Sequence, residues 1–507
     1  MTAVSSPLER AAIEFKMANA WRRAGKRERA ESGYRQALAI APFYTPAYFE
    51  LVDLLETQGR IDEARQACDA AAQVDPLDGG VRSRRARLEA RLAVHADDGT
   101  APPAAAIKAT PSGPHVLFYT DHAGIYGAEQ VNHAIMLGLG GAGMRVTCAQ
   151  APARNHLVQE RAQHGIQHVW IAPEHVYDSS RPARSLTDPG PSRELLRTVQ
   201  PDLVVFGDGS PMSNVMPKHA AAAEGIPFVA IVHCVVPDWA QQFSAHLRDI
   251  ARAFELAETV VAVSSENLGL LRDRFGLAPS NGRVVFNGRP SRFFEPRDEN
   301  ARAAIRAELH VPATAMACLT VGRLDWVKGH EHQLDALARL VTSRPDIYLL
   351  WAGSGSLDSR LRARVLALGL SDRVRFLGER DDVPRVLDAA DAFLLPSHFE
   401  GMPVAIMEAM AKGLPVAATA ISGIPEELGD AGVLLPNPEM DASRTVDALT
   451  AVLDAWTANS DERHRVGAEC RARADRLFRE ERMIDDYRAV ALEAMSSRLA
   501  ASRHEGA

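Results

Sequence analysis

From residue 114 onward the sequence swings between short apolar runs and longer stretches with helical periodicity, and few architectures accommodate that rhythm. HVLFYTD, MRVTCAQ, HVWIAP, PDLVVFGDG, PFVAIVH, TVVAVSS and RVVFNG come first; after a polar break around Phe294 to Asn300 follow MACLTVG, IYLLWAG, VRFLGE, AFLLPS, LPVAAT and GVLLP. Nearly unbroken apolar runs are strands covered on both faces, and helical stretches between them are crossovers, so each set predicts a parallel sheet wrapped in helices. The fold class is α/β, with one such domain over 114–296 and another over 297–478.

The first part of the chain is different. Gly25 and Gly59, Ala30 and Ala64, Ala37 and Ala71, and Pro42 and Pro76 each lie 34 residues apart, the period and residue types of tetratricopeptide helix pairs. Small residues let helices approach closely, and the prolines end each second helix. Residues 1–95 are therefore expected to be an all-α domain of two repeats, with Val81, Leu88 and Leu92 on a capping helix. Residues 96–113, rich in Ala and Pro, read as a linker.

Three domains suit a length of 507 residues. A net charge of -8 without a strongly basic half argues against nucleic acid as a partner. The five cysteines are scattered without a Cys-x-x-Cys pair, which points away from disulfides and zinc and fits a cytoplasmic setting. No apolar run approaches the roughly 20 residues of a membrane span, so any membrane contact is expected to be peripheral.

The stretch Pro396–Thr419, PSHFEGMPVAIMEAMAKGLPVAAT, carries the most chemistry. Pro403 suits the first position of a helix and Gly413 the residue after its end. The helix between is apolar nearly all round, which predicts burial and leaves Glu408 out of place. With Glu400 before the helix, two acceptors flank a helix N-terminus, an arrangement suited to a ligand bearing both phosphate and vicinal hydroxyls.

This Glu-x7-Glu segment, with TVGRLDWVKG (Thr320 to Gly329), WAGSGSL (Trp351 to Leu357), VRFLGE (Val374 to Glu379) and SGIPEEL (Ser422 to Leu428), resembles the retaining glycosyltransferases of family 4. The resemblance runs roughly from Val116 to Ala491. It implies the GT-B fold, two Rossmann-like domains facing each other across a cleft, with residues 479–507 crossing back to the first of them. It also implies a nucleotide-sugar donor, a glycan or glycolipid acceptor, and no metal cofactor; the sequence contains no Asp-x-Asp tripeptide of the metal-dependent class.

Site residues follow from the same resemblance. Glu400 is expected against the donor sugar, Glu408 on the ribose hydroxyls, Arg323 and Lys328 on the pyrophosphate, and His233 at the edge of the reacting sugar. Fixed cations at a breaking phosphate bond stabilise the transition state more than the ground state. The amides of Gly401, Met402 and Val404 are further donor contacts. Gly353, Gly355, Gly378 and Glu379 follow second-domain strands, on the edge where such sheets bind ligands. In the first domain, DHAGIYGAEQ matches a glycine-bearing loop, with Gly127 permitting close backbone approach; Tyr126 stands where the family usually has a second glycine. Asn287 and Gly288 match a turn near the hinge, where Arg289 and Pro290 replace the usual residues.

Other candidates carry blander readings. His330 and His332 lack metal spacing and read as a solvated helix start. Trp239, Phe243, Leu247, Ile250 and Phe254 read as core, and the run Arg82, Arg84, Arg85, Arg87 and Arg91 as a solvated face. The function expected is retaining sugar transfer in cell-surface polysaccharide or lipopolysaccharide synthesis, in the cytoplasm or at the inner face of the membrane, with the repeats recruiting a protein partner or a second copy. Two rivals are a protein O-glycosyltransferase whose repeats bind polypeptide and a non-catalytic assembly protein.

Overall fold

The computed structural model describes residues 7–74, 81, 84, 85, 88, 113–121, 124–153, 155–172 and 186–505. Leu92, Pro76 and nearly all of the expected linker lie outside these, as do Arg82, Arg87 and Arg91.

Four helices open the fold: Pro7–Arg23, Arg27–Ile40, Thr45–Thr57 and Ile61–Val74. Gly25 (φ 73°) and Gly59 (φ 75°) turn the chain between the helices of each pair in the left-handed region, which explains their spacing. Ala30, Ala37, Ala64 and Ala71 are completely buried, with Phe15, Tyr34, Phe49 and Leu55 filling the core between them and Val81 and Leu88 closing it. The second pair does not face open solvent. Arg84 bridges Asp53 (2.9 Å) on the helix Thr45–Thr57 to Asp358 (3.1 Å), the first residue of the second-domain helix Asp358–Ala367. Arg362 binds Asp358 at 2.5 Å, and the guanidinium groups of Arg84 and Arg362 lie 4.2 Å and 4.6 Å from the Phe49 ring centroid. Arg84, expected on a solvated face, is thus buried in an ion network, because Asp358 supplies a charge no local pattern could show.

The first sheet contains β1 (His115–Thr120), β2 (Arg145–Gln150), β3 (Gln167–Trp170), β4 (Leu203–Asp208), β5 (Phe228–Val232), β6 (Thr259–Ala262) and β7 (Arg283–Val284), in the order β3-β2-β1-β4-β5-β6-β7. The second contains β8 (Met316–Val321), β9 (Ile347–Ala352), β10 (Val374–Gly378), β11 (Ala392–Leu395), β12 (Val416–Thr419) and β13 (Val433–Leu435), ordered β10-β9-β8-β11-β12-β13. Among the described residues every pairing between these strands is parallel, for example Phe118 beside Val205 and Cys318 beside Ala392. The order reverses between β1 and β4, and again between β8 and β11; those are the switch points where open sheets bind ligands at their strands' carboxyl ends.

The helix Glu480–Glu505 packs on the first domain, where Met483, Tyr487, Val490 and Ala491 join the core formed by β1, β4 and β5. Gly138 allows that approach: a Cβ there would lie 2.5 Å from Ile484 Cγ2. Two connections between the domains therefore run side by side, Asn287–Arg289 against Arg479–Glu480. A Cβ on Gly288 would stand 2.7 Å from the Arg479 carbonyl oxygen, so only glycine fits.

Candidate functional site

Two helices, one from each domain, begin at the same place. Gly127 starts the helix Gly127–Gly141 after β1, and Val404 starts the helix Val404–Ala411 after β11. A Cβ on Gly127 would lie 3.2 Å from Val404 Cγ2. Each N-terminus carries amides without partners in its own helix and the positive end of its dipole, so the seam between them favours an anion. Pro403 occupies the N-cap with an extended backbone (φ -71°, ψ 111°), one residue before the helical position expected of it, and Gly413 ends the helix with φ 72°.

Around this seam the second domain places its charged residues. Lys328 Nζ lies 2.6 Å from Glu400 Oε1, which also accepts from the Ser397 hydroxyl at 2.8 Å. The cation expected on the pyrophosphate and the acid expected on the sugar are thus a nearly buried pair, two roles brought to one point. Arg323 is half exposed, 3.2 Å from Asp325, with its guanidinium 5.5 Å from the Tyr126 ring across the cleft. Tyr126, in place of a second glycine, therefore reaches the second-domain loop that carries Arg323.

The glycines after the strands have plain reasons. A Cβ on Gly353 would meet the Gly322 carbonyl oxygen at 2.0 Å, and one on Gly355 the Leu324 carbonyl oxygen at 2.4 Å. The Gly353 amide donates to the Gly378 carbonyl (2.8 Å), so it is engaged within the protein rather than offered to a ligand; Gly378 turns with φ 67°. Glu379 accepts from Ser354 at 2.5 Å. A Cβ on Gly401 would lie 2.0 Å from the His233 carbonyl oxygen, which presses the acid-bearing loop directly onto the end of β5. Met402 is buried, its carbonyl accepting from the Asn287 amide at 3.1 Å.

Glu408 is buried, as its apolar helix requires, but it does not lack a partner: Arg289 Nη2 lies 2.5 Å from Oε1. Burial raises its carboxyl above the usual value, and Arg289 works against that shift. No local pattern pointed to this pairing, because Arg289 and Glu408 lie far apart along the chain and meet only when the two domains pack together.

Three further residues emerge from the fold. Asn132 on the helix Gly127–Gly141 holds His233, its Oδ1 2.8 Å from Nε2. A Cβ on Gly207 would lie 2.5 Å from the Asn132 amide nitrogen, so glycine at that point of β4 makes room for it. Glu427 is completely buried; burial, and after it the charge of Glu400, pushes its carboxyl well above the usual value. Glu426 accepts from the amides of Ser265 and Glu266, both at 2.9 Å, joining the domains at a helix N-terminus.

His330, expected in solvent, is buried edge-on against Trp351 at 4.8 Å, and burial pushes its imidazole down to about 3. His332 is half buried, its Nε2 3.2 Å from that of His398. Among the described residues no group of three or more His, Cys, Asp or Glu could hold a metal ion. Ile250 and Phe254 are core, with Trp239, Phe243 and Leu247 packed against it. Among the described residues no helix is long and apolar enough to cross a membrane.

Comparison with known proteins agrees with this geometry. Residues 301–473 match the family Glycosyl transferases group 1, residues 125–291 match Glycosyltransferase Family 4, and residues 22–88 match the tetratricopeptide repeat. The lipopolysaccharide core biosynthesis mannosyltransferase LpsB of Rhizobium meliloti is 31% identical over 190 residues, 36% of this chain and 52% of that protein. A GDP-mannose-dependent monoacylated alpha-(1-6)-phosphatidylinositol monomannoside mannosyltransferase of Corynebacterium glutamicum is 27% identical over 55% of this chain and 75% of that one. The match thus spans about half of the first relative and three quarters of the second.

Among solved structures, Anabaena Alr3699/HepE in complex with UDP superposes with a TM-score of 0.63 at 21% identity, covering 76% of this chain and all of that one. WaaG, a glycosyltransferase involved in lipopolysaccharide biosynthesis, gives 0.60 at 18% identity over 74% of this chain and 99% of that one. Two Rossmann-like sheets facing across a seam, family matches over both, and repeats ahead of them lead to one assignment: the chain belongs to the family 4 glycosyltransferases, with a GT-B fold and an added tetratricopeptide region.

Proposed function

We propose that this glycosyltransferase moves a sugar, with retention of anomeric configuration and without a metal ion, from a nucleotide-sugar donor to a hydroxyl of a glycan or glycolipid in surface polysaccharide or lipopolysaccharide synthesis. The observation that carries the reading is the meeting of two helix N-termini at Gly127 and Val404 beside Lys328, Arg323 and Glu400. An anion with a sugar on one side and a ribose on the other suits that arrangement: amides and cations take the diphosphate, and Glu400 and Glu408 the hydroxylated ends.

In this mechanism the bond from the anomeric carbon to the phosphate oxygen breaks and its electron pair stays on the phosphate. The acceptor oxygen forms its bond from the same face, and its proton passes to a phosphate oxygen. Lys328, Arg323 and the helix dipoles hold the charge that develops there. His233, fixed by Asn132, borders the reacting sugar.

The relatives support the setting: one is a mannosyltransferase of lipopolysaccharide core synthesis, another uses GDP-mannose, and a structural neighbour was solved with UDP-glucose. The repeats offer exposed Ile13, Met17 and Phe43 to a protein partner or a second copy. The enzyme would work in the cytoplasm, at most peripherally on the inner face of the membrane. Incubation with GDP-mannose or UDP-glucose and a lipopolysaccharide-core acceptor in EDTA tests the reading: transfer with an unchanged anomeric configuration is expected. Inversion, or activity only after manganese is added, overturns it.

A further inference from the structure

Arg289 sits where the two interdomain connections lie side by side. Its amide donates to the Phe478 carbonyl (2.8 Å) and its carbonyl accepts from the Glu480 amide (3.0 Å), so its backbone is fixed from both directions. Its side chain is 3% exposed. Nη2 reaches Glu408 Oε1 at 2.5 Å and Gln130 Oε1 at 2.7 Å, and the guanidinium lies 4.8 Å from the centroid of the Phe293 ring. Glu408 belongs to the second domain and Gln130 to the first, on the helix Gly127–Gly141. Gln130 in turn donates to the Ile125 carbonyl at 3.0 Å, within the glycine-bearing loop. One guanidinium therefore joins the inner acid of the Glu-x7-Glu segment to the loop that faces it across the seam.

A carboxylate can serve a vicinal diol only as an acceptor, so it must be ionised and must keep one orientation. A buried carboxylate without a cation takes up a proton and loses both properties. Arginine meets this need better than lysine, since its planar fork fixes direction as well as charge.

We propose that Arg289 is a positioning residue for the ribose of a bound nucleoside diphosphate: it holds Glu408 by one oxygen and turns the other to the ribose hydroxyls. Through Gln130 it ties that acid to the loop over the diphosphate. The inference rests on the nucleotide-sugar reading above, and it assigns a purpose to the residue that replaces the usual one after Asn287-Gly288.

The test is calorimetric titration of the full chain with UDP and GDP, followed by the 2′,3′-dideoxy analogue of whichever binds more tightly. The wild type is expected to prefer the ribose form by about tenfold or more, the size of one charge-assisted hydrogen bond. Arg289→Met and Arg289→Gln should nearly abolish that preference. General damage weakens both nucleotides alike, so a variant that binds more weakly yet keeps the full preference overturns the proposal. Should neither variant fold, a crystal of the wild type with the same nucleotide decides: Glu408 shared between Arg289 and the ribose is expected, and a ribose out of reach of Glu408 overturns it. Wild type that binds neither UDP nor GDP defeats the donor reading itself, and this inference with it.

Discussion

Asn132 Oδ1 lies 2.8 Å from His233 Nε2, and this one contact links the helix that starts at the cleft to the end of β5. An amide oxygen accepts, so Nε2 carries the proton and the ring is held in one tautomer and one direction. Asn132→Leu keeps the volume and removes the acceptor. The rate of transfer at saturating substrate should fall about tenfold to hundredfold, the worth of one hydrogen bond left unmade, with donor KM changing much less. Asn132→Asp should instead stabilise imidazolium and displace the pH dependence of kcat toward higher pH; steady-state kinetics across pH checks both.

Lys328 and Glu400 separate stability from activity. Lys328→Met leaves a nearly buried carboxylate unpaired and should cost about 3 kcal/mol in urea unfolding. The double variant Lys328→Met with Glu400→Gln should recover most of that stability. Activity should remain about a hundredfold or more below wild type in both, because the cation proposed to stabilise the leaving phosphate is gone. Recovery of activity with stability would show the pair to be structural alone.

Glu427 predicts a pH effect of definite sign. Its carboxyl is raised well above 4.5, chiefly by burial, so the native protein binds this proton more tightly than the unfolded chain. Its contribution to stability is therefore full below the unfolded value and is lost as pH rises through the folded one. Glu427→Gln, neutral at every pH, should match wild type in acid and exceed it above neutrality. Urea unfolding between about pH 5 and pH 8 should show a flatter dependence in the variant.

The seam between repeats and second domain depends on Asp358. Arg362 and Arg84 hold its carboxyl below the usual value although burial works the other way. Asp358→Asn removes the charge that both guanidinium groups share. It should loosen the repeats from the helix Asp358–Ala367, seen as faster amide hydrogen exchange in the helices Thr45–Thr57 and Asp358–Ala367, with turnover on a soluble acceptor falling less than about threefold because Asp358 lies away from the proposed site.

Much of this molecule was legible locally. Strand runs of Val, Ile, Leu and Phe, helical periodicity between them and the pair Gly25 and Gly59 act over one or two elements, and the structure shows what each is for. The apolar helix around Glu408 correctly announced a buried acid. His330 misled, because a position at a helix start says nothing about the Trp351 ring that covers it. Arg84 misled in the same way, because its partner Asp358 lies in another domain.

Residue type and spacing along the chain are therefore enough for the strands and helices, the two-sheet class, the repeats and the family. That Arg289 meets Glu408, that Asn132 meets His233, and that the repeats rest on the second domain comes from packing between elements distant in the chain. Those pairings join groups on different elements, and the energy of a buried hydrogen bond or ion pair depends on distance and solvent exclusion, which only packing in space sets.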